Sequence, residues 1–180
     1  MKLLEIGVLI TSLCISQPLL ADKEAIRADC NKQAVCIIQE IKTGKVLLSD
    51  LPATPIIRAL SHNLFEIKTS CGSPCSASAY YDQGTGKVSE LFPDVISVSP
   101  EAGKVVFIAD RKIKYSSIFA AGNKPYSFKT KKALAATASV VSAIVSAEFV
   151  APTKVKLTYL SGTDFKEVTE ILTLNPTNVK

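Results

Sequence analysis

A chain of 180 residues with 47% apolar and 21% charged residues is long enough to bury a core within one domain without a metal or a partner. That apolar fraction, with a net charge of only +5, excludes a predominantly disordered chain. Eight glycines and nine prolines, with no sustained heptad, exclude the collagen, low-complexity and coiled-coil classes.

The chain opens on Lys2, an apolar stretch over 3–20, the helix-breaking Pro18 and the small Ala21. This is the layout of a secretory signal peptide cleaved after Ala21. Glu5 and the bulky Leu19 depart from the ideal layout, and an uncleaved N-terminal anchor is the competing reading. Ser12, Ser16, Gln17 and Pro18 interrupt the run and weigh against a span. Cys14 follows Leu13, where lipid attachment wants a small residue. No later stretch is long and apolar enough for a membrane helix, so no stable transmembrane segment is expected in the mature chain. The expected organisation is a leader at 1–21 and a single disulfide-containing β-rich domain at 22–180.

The mature chain then carries four cysteines, Cys30, Cys36, Cys71 and Cys75. An even number in an exported chain implies disulfides. Of the three connectivities, Cys30–Cys36 with Cys71–Cys75 needs no tertiary contact and is preferred; pairing across the two clusters is the competitor. The one near-match to an N-glycosylation acceptor, Asn175-Pro176-Thr177, is blocked by its central proline, which favours a bacterial exported protein.

Taken in order, 22–33 is polar and helix-favouring, and a short helix is expected there. From Ala34 onward short β-type runs alternate with Gly, Pro and Asp turns. Strands are expected at 34–40, 46–48, 64–69, 77–82, 88–92, 95–98, 104–109, 113–119, 140–150, 155–160 and 165–174, with loops at 52–55 and 120–132. The segment 134–147 is ambiguous: its alanines favour helix, while Val140, Val141, Ile144 and Val145 favour strand in its second half. Turns recurring about every ten residues predict an all-β fold, an antiparallel meander of about nine to eleven short strands.

An internal echo accompanies this pattern. Lys42-Thr43-Gly44-Lys45-Val46 returns as Gly84-Thr85-Gly86-Lys87-Val88, a spacing of 42 residues. That period is the size of a propeller blade. The run from Val95 through Gly103 to Ala109 is similar to the strand–turn–strand core of a periplasmic propeller blade, and 147–160 repeats it without the turn glycine. The fold is therefore read as sandwich or partial propeller-like, with an ordinary meander of look-alike hairpins as the competing arrangement.

The residue inventory is poor in catalytic types. His62 is the only histidine, and its neighbours Ser61 and Asn63 place it in a polar turn rather than in a triad. Cys30-x5-Cys36 and Cys71-x3-Cys75 are not zinc-finger spacings. Cys71-Gly72-Ser73-Pro74-Cys75 has one residue too many for a redox Cys-x-x-Cys and precedes a strand, so no helix N-terminus lowers a thiol pKa. A structural clasp is the preferred reading over a thiol–disulfide enzyme. Gly84-x-Gly86 lacks the spacing of a phosphate-binding loop.

Charge is the least even feature. Segment 104–132 holds eight cations against the single acid Asp110, a net +7, which leaves −2 for the rest of the mature chain. The candidate binding residues are Lys104, Arg111, Lys112, Lys114, Tyr115, Tyr126, Lys129, Lys131 and Lys132. On alternating strands Lys112 and Lys114 share a face, as do Lys129 and Lys131. A basic, aromatic-bearing face attracts an anionic envelope ligand or an acidic protein; nucleic acid does not fit an exported protein. The resulting expectation is a periplasmic or secreted, non-enzymatic binding or interaction protein without cofactor, possessing a basic face and acting as an inhibitor or adaptor. A structural subunit of an envelope assembly, and a thiol–disulfide enzyme using Cys71 and Cys75, are the alternatives.

Overall fold

The computed structural model describes residues 25–73, 75–120, 122 and 124–174. The expected leader, 1–21, lies outside them. The described chain is almost entirely β and forms four small antiparallel sheets, each built from a contiguous stretch of sequence. The first contains β1 (Ile26–Cys30), β2 (Val35–Glu40) and β3 (Val46–Pro52). The second contains β4 (Ile56–Ala59), β5 (Leu64–Gly72), β6 (Cys75–Asp82) and β7 (Lys87–Val88), with β8 (Phe92–Pro93) also paired to β6. The third contains β9 (Val95–Ser99), β10 (Lys104–Ala109), β11 (Lys112–Ser117) and β12 (Tyr126–Ser127). After the one-turn helix α1 (Val140–Ala143), the fourth contains β13 (Ile144–Ala151), β14 (Lys154–Ser161) and β15 (Lys166–Thr173).

Three apolar clusters join these sheets in chain order. Ile26, Cys36, Ile38 and Leu51 of the first sheet pack on Phe65, Ile67 and Tyr81 of the second. Leu64, Tyr80 and Phe92 pack on Val105, Phe107 and Ile118. Val106, Ile113 and Tyr115 pack on Val155, Leu157, Tyr159 and Leu172. Among the described residues no core cluster joins the first sheet to the fourth. A sandwich has two facing sheets; here four small antiparallel sheets are joined in series by the three clusters.

Burial along each strand reports the position of its sheet in that series. In the outer sheets one face carries the apolar core residues, alternating along the strand: Cys36 and Ile38 on β2, and Val155, Leu157 and Tyr159 on β14, where Thr158 is buried as well and bonds Thr169 of β15. In the inner sheets both faces are covered, and burial runs without a break from Leu64 to Ile67 on β5 and from Val105 to Ile108 on β10. Glu66 lies inside one of these runs. Its carboxylate accepts from Ser78 Oγ at 3.0 Å and pairs with the Arg58 guanidinium at 2.7 Å, so the buried charge is matched.

Both preferred disulfides are present. Cys30 and Cys36 face each other across the β1–β2 pair, with Cα atoms 4.0 Å apart. Cys71 and Cys75 close the β5–β6 hairpin, with Cα atoms 5.1 Å apart.

Three expectations are corrected. The N-terminal helix is absent from the described part of 22–33: Ile26–Cys30 is a strand. Helix-favouring composition yields to tertiary pairing, because Ile26 and Ala28 face the core and Cys30 is held opposite Cys36. The strand expected at 140–150 begins only at Ile144, because Ser139 caps the turn Val140–Ala143 by accepting from Val141 N. The described residues hold fifteen strands, more than expected, since β1, β4 just beyond the expected 52–55 loop, and two-residue pairings also join the sheets.

Candidate binding site at the tip of the third sheet

β10 and β11 are joined by only two residues, Asp110 and Arg111, between the paired Ala109 and Lys112. Both take positive φ, 50° and 58°. Positive φ at both central positions is the two-residue hairpin whose twist matches the flanking strands, and it normally selects Asn-Gly or Asp-Gly. Asp suits its position. Arg111, with a β-carbon where glycine is favoured, is held in a left-handed conformation.

Arg111 separates two grooves. On the side of the fourth sheet, a groove of about 300 Å³ is lined by Arg111, Lys112, Phe128, Lys129, Thr130 and Leu134, with no acidic residue among the described residues. On the side of the second sheet, a larger groove of about 550 Å³ is bordered by Arg111 together with Asp110, Asp94, Pro93, Cys75 and Ser139. Arg111, Lys112 and Lys129 are exposed, and none has a carboxylate partner among the described residues.

Backbone anchoring places Lys129. Phe128 N donates to Ile113 O at 2.8 Å and ties the segment to β11. Further along, Lys131 N donates to Glu170 Oε1 at 3.1 Å, Lys132 N to Tyr159 Oη at 3.1 Å, and Ser161 Oγ to Ala133 O at 2.8 Å. Glu170, buried on β15, is thus occupied by a backbone amide. The Lys131 and Lys132 side chains remain exposed, in irregular chain rather than on the alternating strand that would have aligned Lys129 with Lys131.

Other predicted residues are placed differently. Lys114 forms an ion pair with Asp110; its side chain is 13% exposed against 81% for the aspartate. The hydrogen bond and charge of Lys114 hold the Asp110 carboxyl below its usual range. Lys114 is therefore neutralised within the hairpin. Lys104 sits at the opposite end of β10, opposite Ser117, and donates to Ser117 Oγ at 2.8 Å. Tyr115 is buried, with Tyr126 stacked at 5.2 Å and Phe128 tilted at 4.8 Å between ring centroids. The expected aromatic binding surface is instead part of the core between the third and fourth sheets. The basic face thus contracts to Arg111, Lys112 and Lys129, with Lys131 and Lys132 beyond it.

Sequence reading missed Pro93, Asp94 and Ser139 because the Pro93-Asp94 pair and Ser139 are remote in sequence from each other and from the Asp110-Arg111 turn. Asp94 has φ 40°, and its Oδ1 accepts from Ser76 N at 3.0 Å, an arrangement that folding alone creates. The two-residue gap at Asp110-Arg111 between apolar runs was the available signal. His62 is exposed in the turn between β4 and β5. No family model matches the chain, and no curated protein matches it.

Proposed function

We propose that this is an exported, non-enzymatic binding protein of the bacterial envelope, an inhibitor or adaptor that takes an anionic ligand or acidic partner at Arg111, Lys112 and Lys129. The observation that carries the reading is three exposed cations around one groove with no carboxylate, among the described residues, in its lining or paired to them. A left-handed arginine at the divide adds to it, since strain held at an exposed tip is characteristic of functional positions. Export is supported by the leader-like N-terminus and by the two cysteine pairs.

Calorimetry with an acidic peptide and with inorganic polyphosphate, at low and high salt, tests the proposal. Binding that weakens with salt and is lost in a Lys112→Glu, Lys129→Glu variant is the expected result. Binding unaffected by these reversals refutes it.

A second reading has its own observation: Cys71 and Cys75 are exposed, and Cys75 borders the larger groove. A thiol–disulfide enzyme would turn over a mixed disulfide with a small-molecule thiol; a purely structural clasp would not.

A further inference from the structure

The two grooves that meet at Arg111 differ in charge: the charged residues lining the first are the cations Arg111, Lys112 and Lys129, and the second holds Asp94 and Asp110 beside the shared Arg111. Both aspartates retain an acceptor oxygen. The hydrogen bonds of the Asp94 carboxylate, from Ser76 N and Oγ, both fall on Oδ1. Lys114 engages Oδ2 of Asp110, whose side chain stays 81% exposed. Between these charges the larger groove has an apolar floor that includes Pro93, Ile108 and Val140.

Resting on the binding role proposed above, we infer that the occupant is a protein segment of mixed charge. Acidic side chains lie against Lys112 and Lys129, the chain crosses Arg111, and an apolar residue followed by a basic one enters the larger groove towards Asp94 and Asp110. A uniform polyanion gains from the first groove and is repelled by the aspartates of the second, so the site selects against it. A polypeptide, unlike a phosphate-bearing polymer or an anionic membrane, supplies acid, apolar group and base in succession along one chain. The larger groove lies in the size range of specific ligand sites. Two of its walls, the second sheet and the β10–β11 hairpin, are tied through Asp94 by the Ser76 N–Asp94 Oδ1 and Ile108 N–Asp94 O hydrogen bonds.

Selection of random displayed peptides on the oxidised, leader-free chain tests this inference. Enriched peptides should pair an acidic cluster with a basic residue a few positions away, and Lys112→Glu, Lys129→Glu should weaken them at least about tenfold. Asp110→Asn and, separately, Asp94→Asn should erase the demand for the basic residue; asparagine keeps the left-handed tolerance of both positions. Circular dichroism checks that each variant is folded.

If enriched peptides are acidic only and neither asparagine variant changes the preference, the inference of mixed charge fails while the basic site stands. If no peptide is enriched but phosphatidylglycerol vesicles or polyphosphate bind through Lys112 and Lys129, the protein-segment inference fails and an anionic ligand takes its place. If nothing binds through these lysines, the basic-site reading falls as well.

Discussion

Replacing Arg111 by glycine should make this protein more stable and less able to bind. Arg111 is exposed, has φ 58°, and occupies the second position of the two-residue β10–β11 turn. A residue with a β-carbon in the left-handed region costs about 1–2 kcal/mol. Glycine removes that cost but adds unfolded-state freedom worth about 0.5–1 kcal/mol. The difference favours Arg111→Gly by about 0.5–1 kcal/mol, a rise in Tm of about 1–4 °C for a domain of this size. Arg111→Ala is the control, because it removes the charge and keeps the backbone cost. Thermal and urea unfolding of the three oxidised proteins should therefore rank glycine above arginine, with alanine close to arginine, while both variants lose affinity for acidic ligands. A glycine variant less stable than the parent would refute the backbone reasoning. An alanine variant as stable as the glycine one would show that relief of charge repulsion, not of strain, is responsible. If both variants bind as the parent does, Arg111 has no part in the site.

Other substitutions separate neighbouring groups. Tyr80 and Tyr81 are both buried, but the Tyr80 hydroxyl has no hydrogen-bond partner among the described residues, whereas Tyr81 Oη donates to Glu40 Oε1 at 2.7 Å. Urea unfolding should find Tyr80→Phe neutral or stabilising, and Tyr81→Phe destabilising by about 1–2 kcal/mol. Burial, reinforced by Glu40, pushes the Tyr81 phenol up to about 12, from 10.0. Its share of stability is complete below pH 10 and declines as pH rises through about 12, so the alkaline limb of the pH–stability curve should flatten in Tyr81→Phe. Hydrogen bonds from Thr43, first, and Tyr81 hold the Glu40 carboxyl below 4.5. That contribution is present above pH 4.5 and disappears as pH falls through the lowered value, and Glu40→Gln should lack this part of the acid limb. Graded reduction followed by alkylation should label Cys71 and Cys75 before Cys36, because the former pair is exposed and Cys36 is fully buried. Labelling of Cys36 as early as Cys71 and Cys75 would contradict its burial.

Much of the fold could be read along the chain because hairpins are local. The β-type run at 64–69, the glycines of the β2–β3 and β6–β7 turns, and the short cysteine spacings all describe residues close in sequence that become close in space. Gly44 and Gly86 take nearly the same left-handed φ, 68° and 66°, so the internal echo corresponds to a repeated turn. The reading failed where a distant partner overrides local preference. Ile26–Cys30 is drawn into a strand by β2, and Tyr126–Ser127, inside the expected loop, pairs with β11.

The site divides along the same line. Composition placed an excess of cations in 104–132, and Arg111, Lys112 and Lys129 belong to it. Which of those cations are available was decided by folding. Lys114 is paired with Asp110, Lys104 is carried to the far end of the hairpin, and Tyr115 is buried between sheets. Charge and turn chemistry belong to individual residues and survive in any conformation. Pairing, burial and the convergence of Asp94, Asp110 and Ser139 on one groove depend on distances between remote parts of the chain, and these exist only once the four sheets have stacked.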